Sequence, residues 1–561
     1  MIPHSGWALP YMIGLHLVLT ALPVTAGALV AARLGARHVS IRLAAGLACG
    51  GVTALLAFWT YYWNPAVGTV FSWALPLVSA AVAVVCLARD RRVAEGLAAP
   101  LLLWAAASTF LLALGFAHGG TTDPMGTAAQ RFNGGLPADN LIPSYFADWY
   151  YNHGHEPPIH FGDWLSSDRP PLQVGYLLSQ WPFFAGADEL HAQILGTVLQ
   201  QQWVLGLYAL LAASAVTRLT RAGVLVAVLL TDVVFVHGFF VWPKLLSAGI
   251  LLALCALVLT PQWRVVRHRT SGAALVAVLA ALPLMGHGSS LFALVGIGLI
   301  VVFRGLPRMR WLTVALIVGA LVVLPWSGYQ RWADPPGNRL IKWQIGGQER
   351  INSRGTAEAI IDGYRDVGWS GAWKNKRENL DVMLGVGAFP AAVARHDTPA
   401  TLIDTRRADA FFHFISSTGL LIVGPVVMLI RRRRMAAADR SFALLALGAA
   451  AAVSLAAALL LFGGPVARST IHTSGLLGPL LAAAGCAAAL SAAGRVATIG
   501  WLTVYGIAQL AVYVPALKPE PNTSWSVSAL VLAATALIAY IAVAAGRPRL
   551  RWDLVRRDRK L

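Results

Sequence analysis

Asp139, in the stretch LPADNLIPSYFADWYYNHGHEPPIH, is followed about thirty residues later by Asp168-Arg169-Pro170-Pro171-Leu172. A carboxylate held near a membrane surface can act as general base toward a hydroxyl. An arginine close to it can grip a phosphate through its planar guanidinium fork. Base and phosphate clamp together are what transfer of a group from a lipid phosphate requires. The double proline after Arg169 fixes the chain as it enters the next apolar segment, which suits a positioned side chain. Each residue also has a plainer reading: Asp139 as a helix N-cap, Arg169 as half of a surface ion pair with Asp168. Asp148 is the second candidate base in the same stretch.

The surrounding residues add to this chemistry. His153, His155 and His160 lie near Asp148, Glu156 and Asp163, a composition that can ligate a divalent metal or simply be solvated. Tyr145, Trp149, Tyr150, Tyr151 and Trp164 offer aromatic faces to a sugar ring, or an interfacial belt. We take Tyr145, Trp149, His153, His155 and Trp164, with His287 further along the chain, as candidate substrate contacts. Further along, Lys244 closes the short segment His237-Gly-Phe-Phe-Val-Trp-Pro-Lys244 and can snorkel or bind an anion. His287 sits among glycines in Gly286-His287-Gly288-Ser289-Ser290, where a ligand can approach closely or the chain simply turns. Arg331, Asp334, Arg339 and Lys342 form a polar cluster between tryptophans. Arg339 and Lys342, three apart, share a face if the stretch is helical. Arg169, Lys244, Arg339 and Lys342 are therefore the candidate phosphate ligands, with Arg468 and His472 as weaker ones.

These residues need a scaffold, and the composition says which kind. The 561 residues are 57% hydrophobic and only 12% charged, with mean hydropathy +0.63. Soluble domains carry roughly twice that charged fraction. Disorder and a secreted soluble enzyme are excluded, and four cysteines make no disulfide framework. Runs of about 17–25 apolar residues can each span a bilayer as a helix. Fifteen candidates occur, near 9–32, 43–62, 68–88, 97–117, 191–216, 222–241, 245–260, 272–287, 290–303, 311–328, 411–430, 441–462, 474–491, 496–516 and 525–545. The expected fold is all-α: a polytopic membrane protein of about 13–15 transmembrane helices, the pair 272–287 and 290–303 being short enough to re-enter. All four cysteines fall inside these runs and read as inert packing.

The net charge of +19 is distributed unevenly. The connections after the odd-numbered runs, together with the C-terminal tail, hold 27 Lys and Arg against five acidic residues, or +22; the remainder of the chain is −3. By the positive-inside rule the N-terminus lies outside and the C-terminus in the cytoplasm. A nucleic-acid partner is not needed to account for the charge. Two connections on the outer side, 118–190 and 329–410, are far longer than the rest, and such connections are usually functional. Both contain the candidate residues above. No Walker loop, zinc-ligand array or internal repeat is present, so a substrate must arrive already activated at the outer face.

The spacing of Asp139 and the Arg169-Pro170-Pro171-Leu172 segment resembles the first extracytoplasmic loop of GT-C glycosyltransferases, among them bacterial aminoarabinose transferases and relatives of the protein O-mannosyltransferases. The resemblance covers roughly residues 97–430 in organisation and is literal only in those two pieces. Many relatives have Asp-Glu where this chain has Asp139-Asn140, and their loop follows the first span, whereas here three further spans come before that one. The resemblance implies a GT-C-like bundle, with Asp139 as catalytic base and Arg169 at the lipid phosphate. It also implies a polyprenyl-phosphate sugar as donor, arabinofuranose or mannose among the sugars, and an extracytoplasmic glycan, lipid or protein as acceptor. No cofactor is required, although a divalent metal can be accommodated.

The expected organisation is an extra N-terminal transmembrane unit (1–96), a catalytic module (97–430) and C-terminal helices with a basic tail (431–561). The expected place is a bacterial inner membrane. Two other functions compete: a transporter or lipid-linked-sugar flippase, which needs ionisable residues within its spans, and an oligosaccharide polymerase or ligase, which needs more arginines on its long loop.

Overall fold

A computed structural model describes residues 8–118, 121–133, 135–156, 160–385, 388–412, 416–464, 476–515 and 523–546. Among these the chain is helical throughout, with no β-strand and one isolated bridge, Phe161 to Trp164. The first half runs α1 (Ala8–Arg33), α2 (Val39–Trp63), α3 (Pro65–Arg89), α4 (Ala98–Phe116), α5 (Pro124–Gln130), α6 (Ile142–His153), α7 (Leu172–Gln180), α8 (Asp188–Gln200), α9 (Trp203–Ala213), α10 (Arg218–Leu229), α11 (Asp232–Phe239) and α12 (Lys244–Val258). After a short α13 (Trp263–Val266) come α14 (Thr270–Gly286), α15 (Ser290–Phe303), α16 (Met309–Gly328), α17 (Arg339–Gly346), α18 (Thr356–Leu384), α19 (Ala388–Ala394) and α20 (Pro399–Phe412). The last helices are α21 (Gly424–Arg431), α22 (Ala437–Leu460), α23 (Leu477–Ser491), α24 (Arg495–Tyr513) and α25 (Thr523–Ala545).

Nine helices among the described residues are long and apolar enough to cross a membrane, and α10 with α11, bent by 53°, makes a tenth span; five shorter apolar helices accompany them. The described residues of the fifteen apolar runs fall mostly on helix, with 191–216 and 222–241 each divided between two helices and 411–430 between the end of α20, a 3-10 stretch (Ser416–Val423) and α21. The solvent these helices expect is read from their outer faces. Leu77, Leu316, Leu321 and Val531 are each at least 60% exposed, and stripes of such side chains are stable only against hydrocarbon. The chain is therefore an all-α polytopic membrane protein. Its termini of helix are set locally: Asn64 caps α3 through Ala66 and Val67 N–H, with Pro65 at the first position, and Thr217 caps α10 through Thr220.

The core lies where α12 crosses the bundle. Every residue of α12 is buried, packed against α2, α9 and α14. The first three helices belong to this core, because α2 contacts α7, α9, α12 and α14. At the other end α22 packs on α15 and α23, and α4 on α25. Cys86, Cys255 and Cys486 are buried thiols and Cys49 is half-buried, none of them in a disulfide.

Both long connections are folded. The first carries α5, α6 and α7, and the second carries α17 to α20. They are joined by a buried polar seam. Asp334, at the start of the second connection, accepts from Ser166 Oγ at 2.6 Å and from the Ser167 N–H at 2.8 Å. Tyr329 Oη lies 2.5 Å from Ser166 Oγ and 2.7 Å from Tyr150 Oη. Burial pushes the Tyr150 phenol up to about 12, so it stays a neutral hydrogen-bonding group. Gln330 Nε2 donates to the Ser167 carbonyl at 2.9 Å. Groups buried this deeply must be paired, and here each loop satisfies the other.

Candidate functional site

Asp139 and Arg169 meet. Arg169 Nη2 donates to Asp139 Oδ2 at 3.3 Å, with side chains 12% and 19% exposed. Asp139 stands in a single 3-10 turn, Ala138–Leu141, behind Pro137. The neighbouring Asn140 ties that turn down by donating to the Met125 carbonyl at 2.9 Å. Arg169 closes another 3-10 turn, Ser166–Asp168, through its N–H to the Ser166 carbonyl. The prolines that follow lead directly into α7, all nine residues of which are buried. Both candidate side chains therefore sit on short, hydrogen-bonded turns next to the apolar bundle.

Aromatic rings hold the cations in place. The Arg169 guanidinium lies 4.0 Å from the Trp164 ring centroid and 5.5 Å from that of Trp242. Lys244 Nζ is 3.9 Å from the same Trp242 ring, a range in which a cation is attracted to the ring face. Burial lowers the Arg169 guanidinium, opposed first by Asp139 and then by Asp168; a guanidinium starts so high that it remains charged. Asp168 is 2% exposed. Burial raises its carboxyl, while the Leu165 N–H, Arg339 and Arg169 pull it down.

The corner bearing Trp242 and Lys244 is held from two helices. Gln173 Nε2 donates to the Val241 carbonyl at 2.8 Å, and Gln193 Nε2 to the Phe239 carbonyl at 2.7 Å. Val241 has φ of +55°, a strained conformation for a β-branched residue. Gly196 makes room for it: a Cβ there would stand 2.7 Å from Val241 Cβ. Strain held in place by surrounding contacts gathers at functional sites. Lys244 is the first residue of α12, whose N-terminal dipole end favours an anion.

His287 joins the same region. Its ring is 5.8 Å from that of Trp242, and it feels the charges of both Lys244 and Arg169. Asp139, Arg169, Lys244, His287 and Trp164 thus converge from three separate parts of the chain.

Arg339 borders this group but is fully engaged. It donates to the Asp163 carbonyl at 2.7 Å, to Asp163 Oδ2 at 2.5 Å and to the Glu349 carbonyl at 3.0 Å; Asp168 Oδ2 is 3.5 Å away. Its guanidinium also lies 4.3 Å from the Trp164 ring. Arg339 fastens the second connection to the first and holds Trp164 against Arg169. Gly162, with φ of +60°, makes the tight Phe161–Trp164 turn that presents Asp163 and Trp164 to it. The expected helix over Arg339 and Lys342 is present as α17, but the two side chains part. Lys342 Nζ donates to the Asn352 carbonyl at 2.8 Å and to Asn352 Oδ1 at 2.9 Å, closing its own loop.

The remaining candidates lie on the surface of α6 and beyond. Asp148 is exposed and accepts from Asn152 at 2.9 Å. Trp149 stacks on His153 at 4.0 Å. Tyr145 packs on Phe161 and donates to the His160 carbonyl at 3.2 Å. His155 is exposed. Among the described residues no three His, Cys, Asp or Glu side chains come together as a metal-holding group. Arg468 and His472 lie outside the described residues. The roles of Gln173 and Gln193 have one signal in the sequence, an amide among apolar residues, and the pairing of Asp163 with Arg339 has none. No family model, curated protein or solved structure matches the chain.

Proposed function

We propose that the chain is a membrane glycosyltransferase of the GT-C type, moving one sugar from a polyprenyl phosphate to an extracytoplasmic acceptor. The observation that supports this reading is the convergence of one carboxylate, Asp139, with two cations, Arg169 and Lys244, at the mouth of an apolar bundle. Asp139 Oδ2 is engaged by Arg169, which leaves Oδ1 for the proton of an acceptor hydroxyl. The acceptor's hydroxyl oxygen, its proton passing to Oδ1, attacks the anomeric carbon as the bond to the phosphate oxygen breaks, with inversion. The departing polyprenyl phosphate gains charge as it leaves. Arg169, Lys244 and the N-terminus of α12 stabilise that charge more in the transition state than before it. In this reading the protein sits in a bacterial inner membrane, N-terminus outside, with arabinofuranose or mannose as the sugar.

The test is transfer by purified protein in proteoliposomes supplied with polyprenyl-phosphate pentose or hexose and an envelope-glycan acceptor. Label in the acceptor supports the reading. Transport without transfer supports the competing one, a lipid-linked-sugar flippase. One observation favours that competitor: Asp232, fully buried at the 53° break between α10 and α11, is paired with Arg406 of α20. Broken helices with intramembrane ion pairs are common in transporters.

A further inference from the structure

The ring nitrogens of His287 are not equivalent, and their hydrogen bonds fix which one carries the proton. The Ser289 backbone N–H donates to His287 Nδ1 at 3.3 Å, and Ser289 Oγ lies 2.6 Å from the same nitrogen. A backbone N–H can only donate, so Nδ1 must offer a lone pair. In a neutral imidazole the proton is then on Nε2. The imidazolium form would place a proton on Nδ1 against the Ser289 N–H and break this arrangement.

The surroundings select the same form. Burial is the first cause that disfavours a charged ring, and Lys244 and Arg169 are the basic groups that act on it next. Ser289 is fully buried and Ser290 nearly so, while His287 is 7% exposed. The Gly286-Ser290 turn is therefore set into the interior, with the imidazole at its edge. Among the described residues no side chain or carbonyl accepts from Nε2.

From this geometry we infer that His287 is a further binding residue of the site, a neutral Nε2–H donor to a phosphate-ester oxygen held by Arg169 and Lys244. The inference rests on the phosphate reading above and deepens it. Two cations attract an anion from many directions; an N–H whose tautomer is locked supplies one directed bond. It does so without adding a third charge that would hold the product phosphate after transfer. A sugar hydroxyl could also accept from Nε2–H, but the two cations beside the ring place the most negative ligand atoms there. The phosphate ester could belong to a polyprenyl phosphate or to a bilayer phospholipid headgroup.

Binding and tautomer can be measured separately. Full-length protein in detergent is titrated with farnesyl phosphate, and in parallel with short-chain phosphatidylglycerol and phosphatidic acid. The expected result is that His287→Phe weakens farnesyl phosphate about tenfold or more, as for a hydrogen bond to a charged group. His287→Gln, whose amide can reach the Nε2 position, should recover part of the loss. Preference for farnesyl phosphate over both phospholipids identifies the source as a polyprenyl phosphate; preference for a phospholipid assigns the site to a headgroup.

Nitrogen NMR of histidine-labelled protein, with His287→Gln to assign the signal, should show a bare Nδ1 and a protonated Nε2 at neutral pH. The Nε2–H resonance should shift when farnesyl phosphate is added. A protonated Nδ1, or His287→Phe binding as tightly as wild type while Arg169→Ala does not, overturns the inference and leaves the phosphate reading standing. If wild type binds no phosphate ester at all, both fall.

Discussion

The Arg169 guanidinium is 3.3 Å from the Asp139 carboxylate, although thirty residues of the same connection, the whole of α6 among them, separate the two. The pair is mostly buried, and its second anchor is an aromatic ring, Trp164, at 4.0 Å from the guanidinium. Removing one partner of such a pair leaves the other charged in a poor solvent, so loss of either is costly. The same contact divides the chemistry, with a carboxylate oxygen on one side and two phosphate-seeking cations on the other.

The cations are expected to act on binding. Arg169→Lys keeps the charge but loses the planar fork and the stacking on Trp164. Lys244→Met removes an ammonium at the N-terminus of α12. Each should weaken farnesyl phosphate by roughly tenfold or more, the scale of a hydrogen bond to a charged group, with the fold retained. Calorimetric titration in detergent checks this, and unchanged affinity in both variants would remove the phosphate from the site.

Arg339 is expected to act on stability. Its bonds to the Asp163 and Glu349 carbonyls and its contact with Asp168 are made by a side chain only 3% exposed. Arg339→Met should cost about 3–5 kcal/mol, because buried Asp168 loses a countercharge and two carbonyls lose a donor. Asp163→Asn should cost under about 1 kcal/mol, since that carboxylate is 72% exposed. Unfolding in mixed micelles separates the two, and equal losses would contradict the strut role.

One pH dependence follows from Lys376 in α18. Its ammonium donates to Tyr364 Oη at 2.6 Å and caps the end of α22 through the Leu461 carbonyl. Burial pulls it down from 10.5 to about 8. The folded state therefore gives up this proton at lower pH than the unfolded state. Between about pH 8 and 10.5 the unfolded chain binds more protons, so stability should rise with pH across that window. Lys376→Gln should flatten this rise in unfolding midpoints taken from pH 7 to 10.5; an unaltered slope would exclude Lys376 as its source.

The architecture was legible because apolar runs near twenty residues have one stable form in a bilayer, a helix. Among the described residues nine helices follow that rule, a tenth span is bent, and the shorter runs form shorter apolar helices. The site was legible in part. Arg169 and Lys244 stand out as basic residues on the side that otherwise avoids them, Asp139 by its spacing from the Arg169-Pro170-Pro171-Leu172 segment and His287 by the glycines beside it, and the four converge. Arg339 and Lys342 stand out for the same reason as Arg169 and Lys244, yet their charges serve loop carbonyls and Asp163. Spacing along α17 shows that they share a helix, but it does not reveal what each side chain meets across the fold. The seam of Ser166, Tyr329 and Asp334 was out of reach for a similar reason. It joins residues more than 160 positions apart, and a single sequence carries no signal for such pairing.

The most direct test of the account is single-turnover transfer from a polyprenyl-phosphate sugar by wild type and Asp139→Asn in proteoliposomes. Asparagine keeps the size of the side chain but cannot take a proton. The account expects transfer to fall by about 10²–10⁴-fold with farnesyl phosphate still bound and the protein still folded, its unfolding midpoint lowered by the loss of the Arg169 partner. Wild-type turnover in the Asp139→Asn protein would contradict it.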